Sequence, residues 1–364
     1  MLIYNFDHGL KVPTTFKVGP FQVSVTKEHC KNLEPLPRFQ RYRFANDSMR
    51  GRHVESEEPV RGEFKPTAEV SWPEHDEKPE SILSGSIADE KGIYDFIILM
   101  SFLTGRRAYT ADELTWDPRR AYGGSIVRGI ELTKFADIAW SNLPKVKAFQ
   151  LEGALGSLVQ VALAPDLIGQ CAYASAALDS VVTSWASTNQ KTKFDDKELI
   201  KKARGTIRQS LLQEGVSADV VDDIVARFNN VSSPSALMKL KWFIQGQGLF
   251  PSENTEEEWK RLKRLNTIRN QVAHRGMVNI EEALGADASL TVAAVTVQII
   301  RQIAALYIAC DLMGIETAGT GELKKEVREF FGDGIFRGQR VFEESFDEYM
   351  ARQEQAWVED GIID

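Results

Sequence analysis

Cysteine is scarce in this sequence. Its 364 residues include three cysteines, far apart and without a CxxC pair: Cys30, Cys171 and Cys310. An odd number of widely spaced cysteines argues against a disulfide framework and suits a reducing compartment. His29, His53 and His75 have no partner at the spacing of zinc ligands. No metal and no other cofactor is therefore predicted.

The sequence has no long apolar run without polar residues. The most apolar segment, Leu290 to Met313, contains Gln298, Arg301, Gln302 and Asp311. Charged side chains are costly inside a bilayer, so we expect a buried helix and not a membrane span. The start, MLIYNFDHGLKVP, lacks the basic and apolar regions of a secretory signal. We therefore expect a cytoplasmic protein with no membrane partner.

Signatures of several common enzyme sites are missing. The sequence holds no GxSxG and no HExxH motif. The segment ETAGTGELKK, Glu316 to Lys325, lacks the GxxxxGK spacing of a phosphate loop. It also follows a predicted helix and not a strand, so we interpret it as a flexible connection between helices.

Acidic residues outnumber basic ones, and the formal net charge is −8. Such a chain should not attract nucleic acid over its whole surface, so contact with a polyanion requires a local basic patch. Hydrophobic residues at 43% and charged residues at 26% are typical of soluble globular proteins. A length of 364 residues suits two packed domains.

Residues 1–144 are predicted to form a mixed or mostly β domain. Short β-type segments separated by turn signals read TTFKVG, PFQVSVTK and AEVSW. In FQVSV the apolar residues at 21, 23 and 25 alternate with polar ones, which is the period of a half-buried strand. A helix is predicted over Asp89 to Leu103, and Gly105 is its natural C-terminal stop.

Residues 145–364 are predicted to form an all-α bundle, which makes the fold class α+β. The helix predicted over Asp166 to Ser187 is rich in small residues, which let neighbouring helices approach closely. Further along the chain, Thr255 and Glu258 fit a capping box at the start of another predicted helix. An apolar stripe follows it, formed by Trp259, Leu262, Leu265, Ile268 and Val272. Leu290 to Met313 is the expected central helix, and ELKKEVREFF and QRVFEESFDEYMARQEQAWVED are predicted to be helices as well.

The segment LNTIRNQVAHRGM, Leu265 to Met277, is the most informative in the chain. It places Arg269, Asn270 and His274 within six residues. On a helix, Asn270 and His274 lie one turn apart and share a face. Arg269 lies about 140° around the helix from His274, so the two are not aligned within one helix. Two copies related by a two-fold axis would solve this geometry, because each could supply what the other lacks.

Cleavage of a phosphodiester is a reaction that uses these three side chains. A histidine can accept the proton of a 2′-hydroxyl or donate one to the leaving oxygen. An arginine can hold the non-bridging oxygens and stabilise the charge that develops on them. Asn270 can position a phosphate or orient the histidine. Since the attacking group would be the 2′-hydroxyl of the substrate, the substrate would be RNA, and no metal is required.

The motif LNTIRNQVAHRG resembles the signature of the HEPN superfamily of nucleotide-binding helical bundles. Nuclease members carry Arg, then commonly Asn, Asp or His, a short gap, and then His near one end of a helix. The resemblance implies a metal-independent endoribonuclease whose composite site forms where two HEPN domains pair. Carried over to this sequence, Arg269 and His274 match the two catalytic positions, and Asn270 matches the polar position after the arginine.

The layout also resembles the ApeA-like branch of that superfamily, in which a non-helical domain precedes the HEPN bundle. FIILMSFLTGRR, Phe96 to Arg107, is similar to the apolar helix that ends before the second domain there. That branch is associated with bacterial defence against phage. The resemblance implies a homodimer or higher homo-oligomer, and an N-terminal domain that senses a trigger, phage-derived or other, or restrains the nuclease.

A local reversal of charge surrounds the motif. From Trp259 to Gly276 the sequence has no acidic residue and six basic ones: Lys260, Arg261, Lys263, Arg264, Arg269 and Arg275. The five outside the catalytic pair are candidates for binding the RNA backbone. The alternative is a solvated basic face that pairs with Glu256 to Glu258 or with the acidic C-terminal helix.

Two further alternatives remain for the motif itself. Arg269 can be a surface ion-pair partner and His274 a partly buried residue near a helix end, with no catalytic role. A HEPN fold can also keep the motif and act as a non-catalytic module that binds a nucleotide, RNA or a protein. An RNA cleavage assay on the purified protein distinguishes these two alternatives, which expect no cleavage, from the nuclease hypothesis.

Overall fold

A computed structural model of the chain describes residues 1–6, 8, 13–26, 32, 65–72, 92–110, 125–164, 167–189, 196–228, 234–250, 256–275 and 290–332. Within these ranges the protein combines a small antiparallel sheet near the N-terminus with a larger set of helices. The α+β class predicted from the sequence is confirmed.

In the described part of the chain, five strands form one sheet in the order β2-β3-β4-β1-β5, with every neighbouring pair antiparallel. The strands are β1 (Leu2–Tyr4), β2 (Thr15–Val18), β3 (Phe21–Val25), β4 (Pro66–Ser71) and β5 (Tyr109–Thr110). β2, β3 and β4 coincide with the three predicted β segments. Residues 21, 23 and 25 are buried and Gln22 is exposed, so the predicted alternation is confirmed.

The sequence patterns do not predict β1 or β5. β1 has three residues and β5 has two, which is too short for the alternation that identifies a strand. β1 lies between β4 and β5, where Leu2 pairs with Glu69 and Ile3 with Thr110. Partners so far apart in the chain leave no signal in the local sequence.

Helix α1 (Ile93–Thr104) is buried along most of its length. The Phe96 ring centroid lies 5.3 Å from that of Phe21 in β3 and 6.3 Å from that of Phe6. Its sequence, IYDFIILMSFLT, is apolar on most sides, as a helix in the interior requires. The helix starts later than predicted, but it ends at Gly105 as predicted, where φ is +67°.

Helix α2 (Gly129–Ala148) packs on both β2 and α1. Its Trp140 ring meets Phe21 edge-on at 5.3 Å, and Asp137 Oδ1 accepts a 2.7 Å hydrogen bond from the backbone N–H of Gly19. One core therefore joins the sheet to both helices. The predicted domain boundary between residues 144 and 145 falls inside α2 and not in a linker, because the helix continues through Pro144.

The remaining described helices are α3 (Glu152–Leu163), α4 (Leu167–Thr188), α5 (Lys197–Gln213), α6 (Ala218–Phe228), α7 (Ala236–Gly246), α8 (Glu256–Arg275), α9 (Leu290–Leu306) and α10 (Ala318–Phe331). The chain divides into one compact unit of residues 1–181 and 251–364 and another of residues 182–250. In the first, α9 packs against α3 and α10, and α10 packs against α8. In the second, α5 packs against α6, and Arg208 forms a 2.7 Å ion pair with Asp222.

The most apolar segment forms α9 and then a π-helical turn over Tyr307–Leu312. The sequence predicts the helix but not the wider turn. By length and composition, Val295–Leu312 could cross a membrane, yet 78% of that stretch is buried inside the protein. Such burial is what a core helix requires.

The segment ETAGTGELKK, predicted as a flexible connection, is largely helical. Thr317 Oγ1 accepts a hydrogen bond from the N–H of Thr320, and Thr320 Oγ1 accepts one from the N–H of Thr317. This capping box starts α10 at Ala318 although Gly319 and Gly321 follow. The last predicted helix, residues 339–360, and Thr255 of the other predicted capping box lie outside the described residues.

Gly19 closes the β2–β3 hairpin with φ at +55°, and a Cβ there would lie 2.1 Å from the indole Nε1 of Trp140. Gly19→Ala is expected to lower the free energy of unfolding by about 2–4 kcal/mol, because it adds left-handed backbone strain and overpacks the core. Urea unfolding followed by circular dichroism measures the change. Gly205→Ala is the control, since its Cβ would meet no atom within 4 Å inside a helix, where alanine is favoured. Equal midpoints for the two variants would contradict the expected clash.

Candidate functional site

Helix α8 carries Arg269, Asn270 and His274, the three residues of the motif with predicted chemical roles. Leu262, Leu265 and Ile268 on its inward face are fully buried, which confirms three positions of the predicted stripe. Trp259 is half-buried, and the side chain of Val272 lies outside the described residues. The amphipathic pattern therefore holds α8 against the core and fixes which of its residues face outward.

Arg269 lies on the side of α8 near α4, and its side chain is 15% exposed. Its Nε forms an ion pair with Oδ1 of Asp179 on α4, and its Nη1 donates a 3.1 Å hydrogen bond to Oδ1 of Asn266. The Nε–H is not directed along a hydrogen bond, so the contact with Asp179 is electrostatic. A mostly buried guanidinium is thus held from two sides by an acid and an amide.

These contacts leave part of the guanidinium available. Arg has five N–H donors in a planar fork. Within the described ranges, Nη2 of Arg269 has no partner. A planar group pinned at Nε and Nη1 can still offer Nη2 to an anion, and phosphate is an anion whose geometry the fork matches.

Neither Asp179 nor Asn266 was predicted from the sequence. Asp179 is the single charged residue in α4, a helix of 22 residues that is otherwise uncharged. That isolation was a usable signal, because a charge within an apolar helix generally has a partner. Asn266 offered a weaker one, since it stands three residues before Arg269 on the same helix.

The other two motif residues lie in the last turns of α8. The Asn270 side chain is exposed, so it is accessible to a substrate. His274 is helical in its backbone and precedes the helix end at Arg275 by one residue. The side chains of His274 and Arg275 lie outside the described residues, so their predicted roles remain predictions.

The predicted RNA-binding residues of α8 differ in how exposed their side chains are. Lys260 and Lys263 are exposed, and Arg264 is half-buried. Lys260 lies 3.7 Å from Glu256, an i, i+4 ion pair that the alternative of a solvated basic face expects. Lys263 Nζ lies 5.2 Å from the centroid of the Trp259 ring. An exposed lysine over the ring of a half-buried tryptophan can contact a phosphate without losing a buried ion-pair partner.

Arg261 is a correction to that list. It is 6% exposed, and its Nη1 donates hydrogen bonds to the carbonyl oxygens of Phe331, at 3.0 Å, and Gly332. These are the last carbonyls of α10, which have no partner within their own helix. Arg261 therefore caps α10, and we remove it from the candidate RNA contacts.

Arg261→Leu is expected to lower the free energy of unfolding by about 1–3 kcal/mol, because two buried carbonyls lose a charged donor. The affinity for single-stranded RNA, measured by fluorescence anisotropy, should stay unchanged. Lys263→Ala is the matched variant with the opposite expectation: unchanged stability and weaker RNA binding with a shallower salt dependence. An Arg261→Leu protein that is stable but binds RNA poorly would contradict this assignment.

The described residues also include two other kinds of reactive group, namely acidic or histidine side chains that could bind metal and cysteine thiols. Among the described residues, no group of three or more His, Cys, Asp or Glu side chains is placed to hold a metal ion. Burial raises the pKa of Cys171 to about 11, against the effect of its contact with Ser175, so this thiol is a poor nucleophile at neutral pH. Burial also raises the pKa of Cys310.

Comparisons with protein-family models, curated proteins and solved structures give no match to this chain. The resemblance to the HEPN superfamily therefore rests on the motif and on the helical surroundings of Arg269.

Proposed function

We propose that this chain is a metal-independent endoribonuclease of the HEPN type. The observation that carries the proposal is the state of Arg269. Its guanidinium is pinned by Asp179 and Asn266 with Nη2 available, five residues before His274 near the end of α8. The exposed Asn270 and Lys263 on the same helix suit an anionic, extended substrate.

The proposed reaction is attack by the 2′-hydroxyl of RNA on the adjacent phosphorus. His274 accepts the proton of that hydroxyl, or donates one to the leaving 5′-oxygen, while the bond between phosphorus and that oxygen breaks. Arg269 binds the non-bridging oxygens and stabilises the charge they gain. Asn270 orients the histidine or the phosphate. The products are a 2′,3′-cyclic phosphate and a 5′-hydroxyl.

The proposed site is composite and forms between two copies of the chain. Arg269 and His274 lie about 140° apart around α8, so one helix does not aim both groups at a single phosphorus. A two-fold pairing lets the arginine of one copy and the histidine of the other meet at one cleft. The proposed role, by resemblance to the ApeA-like branch, is that of a cytoplasmic defence protein or toxin with a trigger-sensing N-terminal region.

A second candidate function is favoured by the ion pair itself. A guanidinium that is mostly buried and already neutralised by Asp179 is what a structural arginine would show. In that case the bundle is a non-catalytic module that binds a nucleotide, RNA or a protein partner. The two candidates differ in whether RNA is cut.

The deciding experiment incubates purified full-length protein with end-labelled, mixed-sequence RNA in excess EDTA. A parallel sample contains lysate from phage-infected cells as a source of trigger. DNA of the same sequence is the matched substrate, since it lacks the 2′-hydroxyl. The nuclease proposal expects fragments from RNA alone, with 5′ ends that accept phosphate from a kinase and 3′ ends that resist a phosphatase until acid opens the ring.

Three outcomes would count against the nuclease proposal. Cutting of DNA and RNA at the same rate contradicts attack by the 2′-hydroxyl. RNA that is bound but left intact in both samples supports the binding module. Cleavage that survives in both Arg269→Ala and His274→Ala would identify a contaminating nuclease.

A further inference from the structure

The ion pair between Asp179 and Arg269 joins two helices at the proposed site. Asp179 is on α4 and its side chain is 41% exposed, whereas Arg269 on α8 is 15% exposed. No other charged residue occurs on α4. A half-exposed acid is stable without a partner, so the carboxylate gains less from the contact than the more buried guanidinium does.

The two contacts of Arg269 restrict how it can move. An arginine side chain has several rotatable bonds and loses rotamer entropy when it is fixed. The Asp179 carboxylate holds Nε from a neighbouring helix, and Asn266 holds Nη1 from one turn away on α8. Contacts on two nitrogens from two directions restrict the rotamers of the Arg269 side chain before any ligand arrives.

We infer that Asp179 is a positioning residue that pre-orients Arg269 toward the scissile phosphate. This inference rests on the proposed ribonuclease function. Asp179 does not touch the RNA; it holds Nε so that Nη2 faces the non-bridging oxygens without a search among rotamers. Fixed donors stabilise a transition state better than mobile ones, because they do not reorganise as charge develops.

The test is a double-mutant cycle on cleavage under single-turnover conditions in EDTA. Asp179→Asn keeps the size of the side chain and removes its charge. It is expected to slow the cleavage step by about 10- to 100-fold, the order expected when a catalytic group is misplaced by about 1 Å. The RNA concentration that gives half of the maximal rate should change little, because Asp179 makes no contact with the substrate. Asp179→Glu, which keeps the charge, should recover part of the rate.

The decisive variant is Asp179→Asn combined with Arg269→Ala. If Asp179 acts through Arg269, the double variant cleaves no more slowly than Arg269→Ala alone, because the group being positioned is already gone. A purely structural role for Asp179 would add a further loss in the double variant. Asp222→Asn is the matched control, since it breaks the Arg208–Asp222 ion pair elsewhere in the chain and should leave cleavage unchanged.

The outcomes separate this inference from the proposed function. Wild-type protein that never cleaves RNA overturns both. Wild type that cleaves while Asp179→Asn cleaves equally fast overturns the inference alone. Faster cleavage by Asp179→Asn also overturns it, since the carboxylate would then withhold the guanidinium from RNA. Near-ultraviolet circular dichroism confirms that each variant is folded, so a lost rate is not mistaken for a lost structure.

Discussion

Replacing His274 with alanine is expected to lower the rate of RNA cleavage by about 10²- to 10⁴-fold, the usual contribution of general acid–base catalysis. Affinity for uncleaved RNA should change far less than the rate, because the other cations of α8 remain to bind the phosphates. Arg269→Ala should lose rate and affinity together, since it removes a cation that binds the phosphate. Single-turnover rates and anisotropy titrations measure the two quantities separately.

Arg208→Ala is the matched control for the arginine variant. Arg208 also forms an ion pair with an aspartate, Asp222, but it belongs to α5 and not to the helix that carries the motif. It should therefore keep the wild-type rate. Loss of activity in Arg208→Ala equal to that in Arg269→Ala would show that breaking any arginine–aspartate pair inactivates the protein, and the catalytic assignment would fail.

The proposed composite site gives His274→Ala a second use. Co-expressed with Arg269→Ala under separate affinity tags, it should form mixed dimers that recover part of the activity. One intact arginine and one intact histidine then meet at the shared cleft. If each chain carried a complete site of its own, every chain of the mixed dimer would lack one group. No activity would then return.

Replacing Phe21 with alanine is expected to lower the free energy of unfolding by about 3–5 kcal/mol, the cost usually found for deleting a buried phenyl ring. Phe21 is fully buried and meets the rings of Trp72, Phe96 and Trp140. The loss should weaken the sheet, α1 and α2 together, because one ring contacts all three. Urea unfolding followed by tryptophan fluorescence and by circular dichroism should give the same shifted midpoint.

Gln22→Ala is the control for Phe21→Ala. Gln22 is the next residue on β3, and its side chain points to the exposed face. Its replacement should change stability by less than about 0.5 kcal/mol, as is usual for surface positions. Separate transitions for the fluorescence and circular dichroism signals of Phe21→Ala would indicate that the sheet unfolds independently of the helices.

Much of the local structure could be predicted because it follows from periodic patterns within short segments of the sequence. The alternation in FQVSV identified β3, and the stripe at Leu262, Leu265 and Ile268 identified the inward face of α8. Such periods depend on backbone geometry, which is the same wherever the segment is placed. The end of α1 at Gly105 could be predicted for the same reason, because it depends on the positive φ of that one glycine.

The predicted boundary at residue 144 shows where patterns mislead. The change from β-type to helical composition near that position is real, yet α2 passes through it and packs on β2. Composition reports which elements form and not which elements share a core. The segment ETAGTGELKK was also predicted wrongly, as a flexible connection, because the missing phosphate-loop spacing does not reveal the reciprocal Thr317–Thr320 cap that starts α10.

The sequence by itself determined the periodic elements and the placing of Arg269, Asn270 and His274 near the end of one amphipathic helix. Tertiary structure alone decided what each basic side chain meets. It turned Arg261 inward to the carbonyls of α10 and set Asp179, 90 positions earlier in the chain (269 − 179), against Arg269. Periodicity assigns a side chain to a face of its helix, but the partner on that face comes from another helix, and only packing brings the two together.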